Sequence, residues 1–433
     1  MVVFAGGNEK SHSVGAKSLK ELADWELSAT RVAELTAQAG REFEEQQTVQ
    51  TETFAEREGR RPLTAAGEVP PEAPANPPQV GVVEMDGGRI RTREEDCPRG
   101  VTQPHWREFQ AGCVVRLQSE PSAEDPRPEV PRLFLNRPGV HKLVSQLHRQ
   151  RHASPDEKDD EPSIGETLAA EELAENAADS PVSSEAGETS QCCRSRPQRL
   201  VRTCVATLQG ADACGRMLAA EAALRGFERA SRKGFLGDGQ SCNWKVWERY
   251  FRRQGYIPIA DFIHLLSYVY ALAMTVGRHA DEGWGLYTQW ITALWSGRAA
   301  EVLAQWRSLA EQFGIPQDKA LPDDDPRRPI QRGLTYLTNN SERVDYPRYR
   351  RLGLPVTSTL MESLVKEFNL RVKGTEKFWN DPQGAEAILR VRAALLSEDD
   401  RFNAYFATRP GCRYRRRGTL EREIVQAKLA NPA

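Results

Sequence analysis

The chain has 433 residues, with 59 lysines and arginines against 61 aspartates and glutamates, a formal net charge of −2, and 39% hydrophobic residues. Such a length holds about two to four domains and ample material for a core. No stretch approaches the roughly 20 apolar residues of a membrane span, and the opening "MVVFAGGNEKSHS" lacks a basic region, an apolar core and a cleavage site, so a signal peptide is not expected. The eight cysteines include no Cys-x-x-Cys pair, so neither a zinc ribbon nor a disulfide framework is expected. Reduced thiols in a cytoplasm are the default.

Residues 1–67 form a first unit. Within it, 18–47 put Leu19, Leu22, Trp25, Val32, Leu35 and Ala39 near a helical period. "LSAT" interrupts the period, with Ser28 or Thr30 as a candidate N-cap for a second helix. Helix, turn, helix is the skeleton of a DNA-reading motif; a plain helical hairpin is the simpler reading. Residues 68–78 are a Pro-rich linker.

In 79–153, "QVGVVEMDGGRIRTREED" reads as a buried strand running through Asp86, and "REFQAGCVVRLQ" as a second strand. Residues 154–191 are crowded with acids and hold no aromatic residue, so they are expected to be a disordered acidic linker. In 192–265, "RPQRLVRTCVATLQ" is a strand and "GRMLAAEAALRGFERAS" an amphipathic helix. "KGFLGDGQ" is a strand ending at Asp238, "CNWKVWERYFRRQG" a helix and "YIPIADFIHLL" a further strand. Residues 266–340 read as helical throughout and contain Trp284, Trp290, Trp295 and Trp306. Residues 341–412 hold a helix with Glu362 near its head and Lys366, Arg371, Lys373 and Lys377 behind it; 413–433 form a basic tail.

With the acidic linker and the helical stretch set aside, this is the element order of a ribonuclease-H-like α/β core. In that fold, carboxylates stand on the first strand, at the end of the fourth, and on a later helix beside the sheet. Asp86, Asp238 and Glu362 occupy those places. Two-metal cleavage of phosphodiesters needs carboxylates that hold two Mg²⁺ about 4 Å apart, and Mg²⁺ prefers oxygen ligands. Each acid also has a plainer reading. Asp-Gly is a common turn, and a glutamate in a first helical turn suits the helix dipole. The joint pattern favours the site.

The chain resembles the DDE transposases of bacterial insertion sequences, specifically the Kra-type group with a mutator-like catalytic domain. The resemblance is carried by "EMDGGRIRTRE", "PHWREFQAG", "RTCVATL", "LRGFERASRKGFLGDGQSCNW", "IPIADFIHLLSYVYALA" and "PVTSTLMESLVKEFNLRVKGTEKFWNDPQGAEAILRVRA". It implies that Asp86, Asp238 and Glu362 are the catalytic, metal-holding triad, with two Mg²⁺ ions and Mn²⁺ as a substitute. Asp261 and His264 match a carboxylate-x-x-His element, which implies a role for His264 near the scissile phosphate. The stretch 266–340 matches an all-helical insertion, one tryptophan of which is a candidate to stack on a flipped base; core packing is its plainer reading. Implied partners are double-stranded DNA, at transposon ends and target, and further copies of the chain. Lys366, Arg371, Lys373 and Lys377 are expected to neutralise DNA phosphates. The implied location is the bacterial cytoplasm, at the nucleoid. A DNA-binding descendant without catalysis is the alternative, and a general nuclease of the same fold fits less well because of the helical insertion.

The composition of 154–191 cannot offset the entropy of ordering it. Deleting this segment is therefore expected to leave the melting temperature nearly unchanged, as read by calorimetry; a large drop would reveal a structural element.

Overall fold

A computed structural model describes residues 1–60, 78–93, 104–152, 196–373 and 378–408. The Pro-rich linker except Pro78, the acidic segment, Lys377 and the basic tail lie outside the described residues. Three helices come first: α1 (Val2–Asn8), α2 (His12–Ala23) and α3 (Ala29–Arg60). A hairpin of β1 (Val80–Arg93) and β2 (Pro104–Gln118) leads to α4 (Arg137–His152) and β3 (Gln198–Thr207). Then come α5 (Ala211–Leu224), β4 (Arg232–Gly237), α6 (Ser241–Val246) and β5 (Ile257–Ala260). The remaining helices are α7 (Phe262–Val276), α8 (Ala280–Trp295), α9 (Ala299–Gln312), α10 (Arg328–Asn340), α11 (Tyr346–Arg351), α12 (Thr359–Val372), α13 (Pro382–Leu396) and α14 (Arg401–Thr408). Among the described residues no helix is long and apolar enough to cross a membrane.

The five strands form one mixed sheet in the order β3-β2-β1-β4-β5. β1 runs antiparallel to β2 and β2 to β3, whereas β1, β4 and β5 are parallel. β1 lies in the middle and is covered on both faces. Its Val80, Val82, Val83 and Met85 are all buried, the continuous apolar run that such a strand needs. On one face Gly112 of β2 leaves room for Leu218 of α5. On the other, Phe368 of α12 meets Phe109 of β2 with ring centroids 6.1 Å apart.

One element differs from its sequence reading. "YIPIADFIHLL" is a strand only to Ala260. The Asp261 side chain then accepts the His264 backbone N–H at 3.0 Å and starts α7 at Phe262. A short apolar run suits a strand or a buried helix equally, and the aspartate cap decides between them. Helices α7 to α10 form the helical stretch. Trp290, Trp295 and Trp306 are core, and half-buried Trp284 stacks on Tyr287 at 4.8 Å. The three buried tryptophans are thereby unavailable to a flipped base. Trp295 packs edge-on to Phe262 at 4.8 Å, and the Arg350 guanidinium lies 4.1 Å from its ring centre.

The first sixty residues are built into this core. Gly40 of α3 sits so close to α13 that a Cβ there would lie 2.2 Å from the Ala387 carbonyl oxygen. Along α3, Glu34, Glu45, Glu52 and Glu56 are exposed against Arg31 and Arg41, a face poorly suited to a DNA groove. α2 and α3 are thus part of a helical layer packed on the core.

Arg371 corrects another expectation. It is buried at 2% exposure, so it does not present a charge to DNA phosphates. Its Nε donates to the Gly6 carbonyl at 2.8 Å, and its Nη2 lies 2.8 Å from His12 Nε2. Burial, then the Arg371 charge, pushes His12 down to about 4, so the ring is neutral and its Nε2 accepts. Arg392 of α13 reaches Asn8 Oδ1 at 2.5 Å and donates to the Glu367 carbonyl of α12. Two arginines therefore fasten the N-terminal helices to α12 and α13. Arg371→Ala is expected to cost roughly 2–3 kcal/mol of stability, because buried charge-assisted hydrogen bonds are lost. An exposed phosphate contact would change stability by no more than about 0.5 kcal/mol. Urea unfolding of both proteins distinguishes the two.

Candidate active site

The carboxyl ends of β4 and β5, beside the middle of β1, gather the acids. Glu84 of β1 pairs with Leu236 near the end of β4, and Asp86 and Asp238, each two residues further on, line the same small cleft. Gly237 of β4 pairs with Ala260 of β5, which brings Asp261 next in line. Neighbouring strands lie about 4.8 Å apart, and such strand ends are where open α/β sheets hold their sites. Asp86 and Asp238 line one small cleft with His264, Ser358 and Met361. Glu362 enters from the first turn of α12, and its Oε1 lies 3.8 Å from His264 Nε2.

Local bonds set each group. Asp86 Oδ1 accepts the Gly87 N–H at 2.7 Å. Asp238 takes three donors: the Gln240 backbone N–H at 2.9 Å, Gln240 Nε2 at 2.6 Å and Asn243 Nδ2 at 2.7 Å. The chain turns after Asp238 through Gly239 at φ +94°, where a Cβ would lie 2.3 Å from the Tyr336 ring. The helical stretch thus abuts the Asp238 turn through α10. Asp261 is fully buried and holds two elements. Its Oδ1 accepts the Ser358 backbone N–H at 2.7 Å, and its Oδ2 lies 2.6 Å from His264 Nδ1.

The electrostatics follow from crowding. Glu362 is pushed up to about 8, first by burial and then by Asp86, Asp261 and Asp238, against the pull of His264. Burial opposes a charged His264. The Asp261 hydrogen bond and the Asp261, Glu362 and Asp238 charges outweigh that and raise it to about 9. Glu84 is raised to about 8 by burial and by Asp261. Among the described residues, no three His, Cys, Asp or Glu side chains stand close enough as they are to enclose a metal ion.

The structure thus brings Asp86, Asp238 and His264 into one cleft, with Glu362 at its edge. Lys366, one helical turn beyond Glu362, and Lys373, at the end of α12, are half-buried. Sequence reading missed Glu84, Gln240 and Asn243. An acid in the middle of the apolar run "VGVVEM" was a usable signal for Glu84; nothing in "DGQSCN" singled out Asn243. No protein-family model matches the chain, and no curated protein matches it.

The raised groups give a pH dependence of definite sign. Between their ordinary and raised values, Glu84, Glu362 and His264 bind more protons folded than unfolded, so stability falls as pH rises. Without divalent ions, the melting temperature is expected to fall from about pH 6 to about pH 9. Glu362→Gln removes one titrating carboxyl and is expected to flatten that slope. An unchanged slope in the variant would show that Glu362 titrates normally.

Proposed function

We propose that this protein is a DDE transposase with a ribonuclease-H-like core, which cleaves the ends of a bacterial insertion sequence and joins them to target DNA. The observation that carries this reading is the meeting of acids far apart in the chain. Asp86, within β1, and Asp238, just past the end of β4, line one cleft, with Glu362 delivered by α12 next to His264. The sheet order, with an antiparallel hairpin on one side of β1 and parallel strands on the other, supports the fold assignment.

The donor set fits Mg²⁺ in its chemistry. Asp86, Asp238 and Glu362 offer oxygens only, and Glu362 is buried among like charges, which a divalent cation would relieve. When bound, two such ions would activate the attacking oxygen and stabilise the leaving one; Mn²⁺ would serve in the same place. The chain's own residues do the rest. Gln240 and Asn243 hold the Asp238 carboxylate in one orientation. Asp261 fixes Nδ1 of His264 as the donor to itself, which leaves Nε2 turned towards Glu362. With its value raised to about 9, His264 is an imidazolium at neutral pH and can hold a phosphate oxygen. The substrate is double-stranded DNA, acted on by a homo-oligomer at the bacterial nucleoid. Lys366 and Lys373 remain candidates for backbone contacts.

A DNA-binding descendant without catalysis is the second reading. It draws on the carboxylates not forming a ready cage for an ion as they stand. The test is single-turnover cleavage of a duplex carrying the element's own terminal sequences, with Mg²⁺ or Mn²⁺. Wild-type protein is expected to release 3′-hydroxyl ends. Asp86→Asn, Asp238→Asn and Glu362→Gln are each expected to slow cleavage by roughly 10²–10³-fold or more, with DNA affinity retained. Binding without cleavage by the wild type would support the second reading. A Glu362→Gln variant cutting at the wild-type rate would remove Glu362 from the site.

A further inference from the structure

The head of α12 holds a buried donor that the proposed chemistry has not used. Ser358, the N-cap of this helix, is 7% exposed and lines the cleft with Asp86, Asp238 and His264. Its hydroxyl is buried with no hydrogen-bond partner, and it makes no cap bond to its own helix. A buried hydroxyl left in this way is costly and calls for an explanation.

The backbone around it has donors to offer as well. The first turn of a helix leaves N–H groups without intrahelical acceptors. In α12 the Met361 and Glu362 N–H groups donate to the Ser358 carbonyl at 2.9 and 3.0 Å, and the Ser358 N–H donates to Asp261 Oδ1 at 2.7 Å. The Thr359 and Leu360 N–H groups donate to no acceptor among the described residues. Free N–H groups and the dipole at the start of a 14-residue helix favour an anion. Asp261 ties this end of α12 to the rest of the site. Its other oxygen, Oδ2, lies 2.6 Å from His264 Nδ1, so one buried carboxylate places both Ser358 and His264 in the wall of the cleft.

We propose that the Ser358 hydroxyl, with the N-terminus of α12 behind it, donates a hydrogen bond to a non-bridging oxygen of the scissile phosphate. This deepens the transposase reading and rests on it for the identity of the phosphate. A hydroxyl suits the place because it is neutral. It can stand among Asp86, Asp238 and Glu362 without competing with a divalent cation for their charge, as a lysine would. Its bond strengthens as negative charge builds on the phosphate oxygens. The acids of the cleft repel an anion, so phosphate is expected to enter only together with Mg²⁺.

The experiment compares wild type with Ser358→Ala, which deletes the hydroxyl, and Ser358→Thr, which keeps it. The first readout is calorimetric binding of inorganic phosphate in the presence of Mg²⁺. Wild type is expected to bind phosphate, Ser358→Ala about tenfold more weakly, and Ser358→Thr within about threefold of wild type. The second readout is single-turnover cleavage of terminal DNA with Mg²⁺, the scissile phosphate being normal or carrying sulfur at one non-bridging position. On the normal phosphate Ser358→Ala is expected to slow cleavage roughly 10–10²-fold, with DNA affinity within about twofold. Sulfur is a weak acceptor. With one sulfur diastereomer the loss is therefore expected to shrink to about threefold or less, and with the other to persist. Ser358→Gly repeats the deletion, so a folding defect peculiar to one variant does not decide the outcome. Equal phosphate affinity in wild type, Ser358→Ala and Ser358→Gly, no phosphate binding by the wild type, or equal losses on both diastereomers would overturn the proposal. If phosphate binding depends on Ser358 and yet the wild type cuts no DNA, the transposase reading fails and the phosphate subsite stands.

Discussion

Like charges confined to one small volume are the constraint on which this structure depends. Glu84, Asp86, Asp238, Asp261 and Glu362 collect where β4 and β5 end beside the middle of β1 and where α12 begins. Water cannot screen them well, since Glu84, Asp261 and Glu362 are almost wholly buried. The protein answers with a few directed contacts. Asp261 is matched to His264 at 2.6 Å and Asp238 to three amide donors. Glu362 is answered least, by His264 at 3.8 Å, and its ionisation is accordingly suppressed.

Holding such a cluster requires that the elements carrying it do not move apart, and much of the remaining chain serves that end. α12 is secured at its head by Asp261 and near its tail by Arg371, whose guanidinium reaches back to Gly6 and His12. Arg392 adds a second fastening between Asn8 and the Glu367 carbonyl. The N-terminal helices are therefore coupled to the helix that bears Glu362, whatever else they contact. On the opposite side, α10 places Tyr336 against Gly239, where any side chain would collide, so the helical stretch helps to define the turn that presents Asp238. Its aromatic core, with Trp290 and Trp306 edge to face at 5.7 Å, gives that wall its rigidity.

Local pattern and tertiary contact contributed differently to what could be read. The five strands were legible because each contains an apolar stretch, such as "VGVV", "CVV" or "GFLG", and Asp86 and Asp238 were legible because each is followed by glycine, within a strand or just past its end. Glu362 stood out as an acid at the head of a helix. The strand drawn through "ADFIHLL" was misread because an apolar run has no period to betray it, and the Asp261 cap is the cue that separates β5 from α7. Arg371 was misread for a different reason: in sequence it belongs to a row of bases, and nothing local tells a buried arginine from an exposed one. Its partners Gly6 and His12 lie some 360 residues away.

What the sequence by itself determined was the alternation of elements and the identity of the acids, because both are written in short-range periodicity and turn chemistry. What only the tertiary structure decided was which acids are crowded, which are satisfied and which bases are spent on holding helices together. Those properties depend on burial and on distances between residues remote in the chain. Glu84 is the clearest instance. In sequence it is an odd acid in a buried strand, and only its burial in the folded chain near Asp261 raises its carboxyl to about 8.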